Sequence, residues 1–240
     1  MRKVVILGLL LAALLAIVPA AGARGARSAQ VYVVHGIPGT DVDPSLDPRL
    51  PVDVAVNGQC ALEGFVFGQI VGPLSFQPGT YDIAISLSDG NKDGQCGPTV
   101  VLQAPVPFAA GENASVVAHL TADGGITASK FTNDVSRPRF LNTRVIVHHL
   151  AEAPAVDISL QRLFAKQPRL FLEDVVNGQQ AAAVIVPGNW NVSIFPANVS
   201  HPVFGANLRL NPFTTYLVYA VGSLEGGTFR LLTKAVPSFR

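Results

Sequence analysis

In the segment Tyr81-Asp82-Ile83-Ala84-Ile85-Ser86-Leu87-Ser88 the odd positions are large and apolar, while the even ones are small or polar. A β-strand sends successive side chains to opposite faces, so a two-residue period marks a strand with one buried face. Val52, Val54 and Val56 alternate in the same way with Asp53, Ala55 and Asn57, and Val156, Ile158 and Leu160 do so with Asp157 and Ser159. No stretch after residue 30 sustains a helical period. Clusters of Gly, Pro, Asn and Asp interrupt the runs about every ten residues, the spacing of an all-β sandwich or barrel. The 22 glycines and 18 prolines suit tight turns. A parallel sheet would need long crossover helices, for which no pattern exists.

The strand-like segments recur in one order. Val33-Val34-His35 is echoed by Ile146-Val147-His148, Pro51-Val52-Asp53-Val54 by Ala155-Val156-Asp157-Ile158, and Gly68-Gln69 by Gly178-Gln179. Pro78-Gly79-Thr80-Tyr81 matches Pro187-Gly188-Asn189-Trp190, and Ser115-Val116-Val117-Ala118-His119 matches Tyr216-Leu217-Val218-Tyr219-Ala220. Five ordered matches indicate duplication. Pro-Gly suits the centre of a type II turn, and the aromatic after it is expected to anchor a core. The chain of 240 residues accommodates two domains of about 100 residues each. The expected fold is therefore all-β, with two tandem antiparallel β-sandwich domains over 29–135 and 143–240. Immunoglobulin-like and transthyretin-like strand orders both remain open. One difference separates the copies: an acidic, proline-rich insertion at 40–50 belongs to the first alone, and is expected on the surface.

Residues 1–23 read as a secretory signal. Arg2 and Lys3 precede an apolar run from Val4 to Val18, and Ala21-Gly22-Ala23 offers a cleavage site. Fifteen apolar residues fall short of the roughly 20 needed to span a bilayer. No cysteine follows for lipid attachment, and no second hydrophobic span occurs near the C-terminus. Release to the periplasm, cell envelope or medium is expected, with no membrane span after cleavage. Removing Arg2 and Lys3 leaves 15 of the 17 basic residues against 16 acidic ones. Nucleic acid, which attracts basic stripes through counterion release, is an unsuitable partner for so balanced a chain. Cys60 and Cys96 are the two cysteines. In an oxidising compartment an isolated pair reads first as a disulfide. A reactive thiol or metal-ligand role lacks a supporting motif.

Several of these segments resemble the bacterial family called domain of unknown function 4397. The likeness rests on Val31-Tyr32-Val33-Val34-His35-Gly36-Ile37-Pro38-Gly39, on Pro51-Val52-Asp53-Val54-Ala55-Val56-Asn57-Gly58, and on Gly79-Thr80-Tyr81-Asp82-Ile83-Ala84. Ser115-Val116-Val117-Ala118-His119-Leu120 and His148-His149-Leu150-Ala151-Glu152-Ala153-Pro154-Ala155-Val156-Asp157 extend it over nearly the whole chain beyond the signal. The 40–50 insertion departs from the family's short connection. The resemblance implies exported, often duplicated β-sandwich proteins, and brings no established reaction or catalytic residue.

Three groups of residues invite a functional reading. His35, His119 and Asp53 would form a metal or proton-transfer site if their strand ends converged; otherwise each imidazole packs at a strand end against a backbone carbonyl. The second copy offers His148 and Asp157, with Ala220 in the place of His119. Asp89, Asn91 and Asp93 begin a calcium-loop pattern with Gly94 at its sixth position, yet Val100 stands where a bidentate glutamate is needed. Asp41, Asp43 and Asp47 make the insertion a candidate binding loop, one whose deletion is expected to spare the fold. Signatures for hydrolases, phosphate binding and dinucleotide binding are absent. No catalytic residue, metal or cofactor is assigned. The expected function is a non-catalytic secreted or cell-envelope binding or structural module. Its partner would be an extracellular protein, a glycan or a cell-surface component. The alternative is an exported hydrolase or metal-dependent enzyme centred on His35, His119 and Asp53.

Overall fold

The computed structural model describes residues 26–164, 170–196 and 199–238. The expected signal segment, 1–23, lies outside the described residues. The first half comprises β1 (Ala29–His35), the short helix α1 (Gly39–Val42), β2 (Val52–Val56), β3 (Gln59–Phe65), β4 (Ile70–Phe76), β5 (Gly79–Leu87), β6 (Val100–Phe108), β7 (Asn113–Leu120) and β8 (Ile126–Thr132). The second comprises β9 (Thr143–His149), β10 (Val156–Arg162), β11 (Leu170–Val175), β12 (Gln179–Ile185), β13 (Gly188–Pro196), β14 (Phe204–Leu210), β15 (Thr214–Val221) and β16 (Arg230–Pro237).

Each half is a sandwich of two four-stranded sheets. In the first, β4-β1-β7-β8 faces β3-β2-β5-β6; in the second, β12-β9-β15-β16 faces β11-β10-β13-β14. Adding eight to each strand number converts one half into the other, so the topology is the same. An immunoglobulin sandwich keeps its first, second, fifth and fourth strands in one sheet. Here the first and second strands lie in opposite sheets, which is the transthyretin-like alternative. Pairing is antiparallel apart from β1 with β7 and β9 with β15, which run parallel.

The two sandwiches stack through the sheets that contain β1 and β9. Ala29, Val31, Val116 and Phe108 pack inside the first sandwich beside a cluster around Val52, Val54, Phe65 and Leu120. Val145, Val156, Ile158, Trp190, Val192 and Val218 fill the second. A third apolar layer lies between them, built from Tyr32, Val34, Val117 and Phe131 of one half and Ile146, Leu217, Tyr219 and Val221 of the other. Ser115 Oγ and Tyr219 OH share a 2.6 Å hydrogen bond within this layer. Gly36 sits where the halves touch: a β-carbon there would stand 2.7 Å from Val221 Cγ1 and 2.9 Å from the Ala118 carbonyl. β7 and β15 are consequently buried on both faces, and their sequences show no two-residue alternation of apolar and polar side chains.

Two sequence expectations need correction. Register places His35 opposite Ala118 and His149 opposite Ala220. The counterpart of His35 is thus His149, not His148, and the counterpart of His119 is Val221, not Ala220. A shift of one residue turns each side chain to the other face of its sheet. Nor is Pro78-Gly79 a type II turn. Gly79 has φ 156° and Gly188 φ 140°, where a type II turn needs about 80°. Both glycines stand where the chain passes from one layer of the sandwich to the other. The following aromatics do anchor these corners: Tyr81 OH donates to the Gln77 carbonyl and Trp190 Nε1 to the Val186 carbonyl, both at 3.0 Å.

Candidate functional site

His35, His119 and Asp53 do not converge. His35 faces the interior of the first sandwich, where its Nε2 donates to the Leu50 carbonyl at 2.9 Å and its Nδ1 accepts from Ile37 N–H. His119 lies on the opposite face of the same sheet, its Nδ1 donating to the Leu120 carbonyl and its Nε2 accepting from Ser129 Oγ. Asp53 points out of the other sheet and is completely buried. There its Oδ1 accepts from Gly64 N–H and its Oδ2 from Gly97 N–H, at 2.8 and 2.9 Å. Asp157 repeats the first of these contacts with Asp174 N–H. Gly64 and Asp174 are the positive-φ residues of equivalent β-bulges, so the recurring Val-Asp dipeptide holds a bulge. The three residues proposed as a catalytic or metal centre face three different layers.

Burial disfavours the charged form of four histidines. It lowers His35 and His148 from the ordinary value near 6.5 to about 4, and it lowers His119 and His149 as well. His148 is stacked on Tyr219 at 4.7 Å in the layer between the halves. Among the described residues no three His, Cys, Asp or Glu side chains gather to hold a metal.

The 40–50 insertion is part of the first core. Ile37, Leu46 and Leu50 pack with Val52 and Leu120, and the Leu50 carbonyl receives His35. Asp41 hydrogen-bonds to Thr228 Oγ1 of the second half. Asp43 accepts from Ser45 and Asp47 from Arg49 N–H, each closing a local turn. Deleting this segment therefore removes buried side chains, contrary to the sequence expectation, and Asp41 is engaged with the molecule itself. The aspartates marked the segment as polar; Leu46 and Leu50, scattered among prolines, gave no periodic signal of burial.

The other polar loop, 88–99, joins β5 to β6 and is held differently. Residues 89–95 are exposed without interruption. Beneath them Cys60 on β3 is bonded to Cys96. Asp53 grips Gly97, and Glu63 Oε1 accepts from Gly94 N–H at 2.9 Å. At position 97 a β-carbon would fall 2.0 Å from the Leu87 carbonyl, so only glycine fits. Asp89 accepts from Asn91 N–H and Asp93 from Gln95 N–H, which turns the calcium-loop residues into turn-closing acceptors. Asn91, with its amide on Asp89, completes the set named from sequence. Sequence reasoning found the cysteines and the aspartates. The clamps from Glu63 and Asp53 were invisible because they cross from other strands.

Among the described residues no helix is long and apolar enough to cross a membrane. No curated protein sequence matches the chain. Solved structures similar to it include the Bacillus anthracis TIE protein, at 6% identity and TM-score 0.26, with 80% of this chain and 33% of that one covered. The chain thus spans about a third of that protein's length. A candidate cell adhesion protein of Bacteroides ovatus ATCC 8483 aligns at 10% identity and TM-score 0.28, over 90% of this chain and 99% of that one. The family CBM26 module of Eubacterium rectale Amy13K, solved with maltoheptaose, aligns at 8% identity and TM-score 0.28, over 87% and 100%. Likenesses at this level say nothing of function. The sequence family is clear: the model described as Domain of unknown function (DUF4397) matches residues 29–159, more than half of the chain, and the protein belongs to that family.

Proposed function

We propose that this protein is an exported, non-catalytic binding module that meets its partner through the 88–99 loop of the first sandwich. One observation carries the reading: seven consecutive exposed residues, 89–95, are fastened from below by the Cys60–Cys96 bond, the Asp53 and Glu63 carboxylates and Gly97. Such pre-ordering lowers the entropy lost when a loop binds. The corresponding β13–β14 connection in the second half carries no cysteine. The loop's carboxylates, amides and single lysine, Lys92, suit a polar partner, a glycan or a surface protein. Export, with loss of residues 1–23, is supported by the disulfide, which persists in oxidising compartments. The shared strand order supports a second copy of the family domain over 143–240 beside the first over 29–135.

The test replaces 89–95 by a Gly/Ser segment of equal length in the full chain. Retention on isolated envelope polysaccharide and envelope protein fractions of the producing bacterium is then compared with that of the parent. Loss of retention with an unchanged thermal midpoint is expected. Equal retention by both proteins overturns the loop's role.

A further inference from the structure

The two sandwiches close their open edges differently. Strand register makes Leu102, Val106, Ile126 and Ala128 of the first half equivalent to Phe204, Leu208, Phe229 and Leu231 of the second. In the second half Phe204 and Phe229 meet edge to face at 5.7 Å, and with Leu208 and Leu231 they cover the core. At the same place the first half has smaller side chains, and its interior stays open between β6 and β8. Ile83, Ile85 and Leu87 are only half-buried, whereas their counterparts Val192, Ile194 and Pro196 are fully buried.

Two spaces lie behind this edge. One, of about 120 Å³, is lined by Ile37, Val42, Leu46, Ile85, Leu102 and Ile126, with the 40–50 insertion as its roof. The other, of about 220 Å³, continues along the edge past Ile83, Ala104, Val106, Val116 and Ala128, and shares Ile85 and Leu102 with the first. Both are small beside the range of about 300–1,000 Å³ typical of ligand pockets, so only a slender ligand fits. The walls are aliphatic, and the ring that enters them, His35, has both nitrogens satisfied by backbone. Gln103 and Thr127 border the second space with their side chains turned away from the sandwich interior, and the Gln103 amide donates to Asp82. Pro105 and Pro107 on β6 supply no backbone N–H, which keeps this edge from pairing with another strand.

We propose that the first sandwich binds one linear aliphatic chain, such as the acyl chain of a lipid or fatty acid, between β6 and β8, with its polar end left in solvent at the sheet edge. The second sandwich shows which chemistry fits this position, because it fills the same place with its own phenylalanine and leucine side chains. The narrow gap between two sheets admits a single chain, and mainly aliphatic walls favour methylenes over a hydrogen-bonding ligand. The 40–50 insertion, absent from the second half, acquires a purpose as one wall of the pocket. This site is independent of the 88–99 loop.

Titrating the full chain with the fluorescent polyene fatty acid cis-parinaric acid, below its critical micelle concentration, should give saturable binding of one molecule per chain. Decanoate should displace it. The double variant Ile126→Phe, Ala128→Leu, which copies the second sandwich, should weaken binding at least about tenfold with no loss of thermal midpoint. If that variant does not fold, Leu102→Phe serves instead, and methyl chemical-shift changes on adding decanoate to the parent should centre on Ile85, Leu102 and Val106. A protein in which 89–95 are replaced should bind the probe as the parent does. Absence of saturable binding, equal affinity in a plugged variant, or shifts centred elsewhere would each overturn the proposal.

Discussion

The first sandwich and the second share every strand pairing, yet they are packed to different degrees. In the second, Trp190, Val192 and Ile194 of β13 belong to one continuous core that also takes in Val145, Ile158, Leu160 and Leu210. In the first, the equivalent strand β5 offers Tyr81, Ile83 and Ile85, all half-buried, and the core is divided between two clusters. The first half compensates with a covalent link, the Cys60–Cys96 bond. Topology therefore does not dictate packing: one half obtains its stability chiefly from apolar contact, while the other leaves internal space and adds a cross-link.

The largest effect that would sharpen this contrast comes from truncating the paired corner aromatics. Trp190→Ala should cost about 3–5 kcal/mol, in the range for large aromatic truncations. Tyr81→Ala, at the half-buried counterpart, should cost roughly half of that. Urea midpoints would measure both, and equal losses would erase the distinction. Next, Cys60→Ser with Cys96→Ser should lower stability by roughly 3–4 kcal/mol on the chain-entropy account of a closed loop. Limited proteolysis should then cut the 88–99 loop first. If β13–β14 is cut first, the cross-link is not what holds the loop.

Acid acts on both halves. A buried imidazole with a lowered folded value binds its proton less readily than the unfolded chain does, so its contribution is complete above pH about 6.5 and fades as pH falls through about 4. His35 and His148, each lowered to about 4, should each take on the order of 3 kcal/mol from stability between pH 7 and 4. Replacing His148 by Phe, which keeps an aromatic on Tyr219, should remove its share of that slope. An unchanged slope would mean that His148 takes up its proton in the folded protein as readily as in the unfolded chain. The smallest effect is at the edge: Leu231→Ala should cost about 1–2 kcal/mol by opening the second sandwich. The reverse change, Ala128→Leu, should cost nothing measurable in thermal denaturation.

The sequence made the half-buried strands plain because Val52-Asp53-Val54 and Tyr81-Asp82-Ile83 alternate, and the pairing of layers follows from that period. It was misleading at β7, β9 and β15. A strand buried on both faces loses its alternation, and without alternation there is nothing to register one copy against the other; hence the slip of one residue between His148 and His149. His35 and His119 suggested a shared centre because their strands pair, β1 beside β7, but the register puts the two side chains on opposite faces of that sheet. The disulfide was legible because its chemistry is local to two residue types. The clamps on Gly94 and Gly97 were not, since Glu63 and Asp53 lie 31 and 44 residues away in the chain.

The apolar layer that joins the halves has a bearing on how such chains are assembled. Separated from its neighbour, either sandwich would turn Tyr32, Val34 and Val117, or Leu217, Tyr219 and Val221, toward water. A flat greasy surface of that kind invites self-association. Joined through 133–142, each unit meets its complement at a high effective concentration whatever the dilution outside. Tandem linkage thus gives this protein, within one polypeptide, what a lone unit would have to find in a twin.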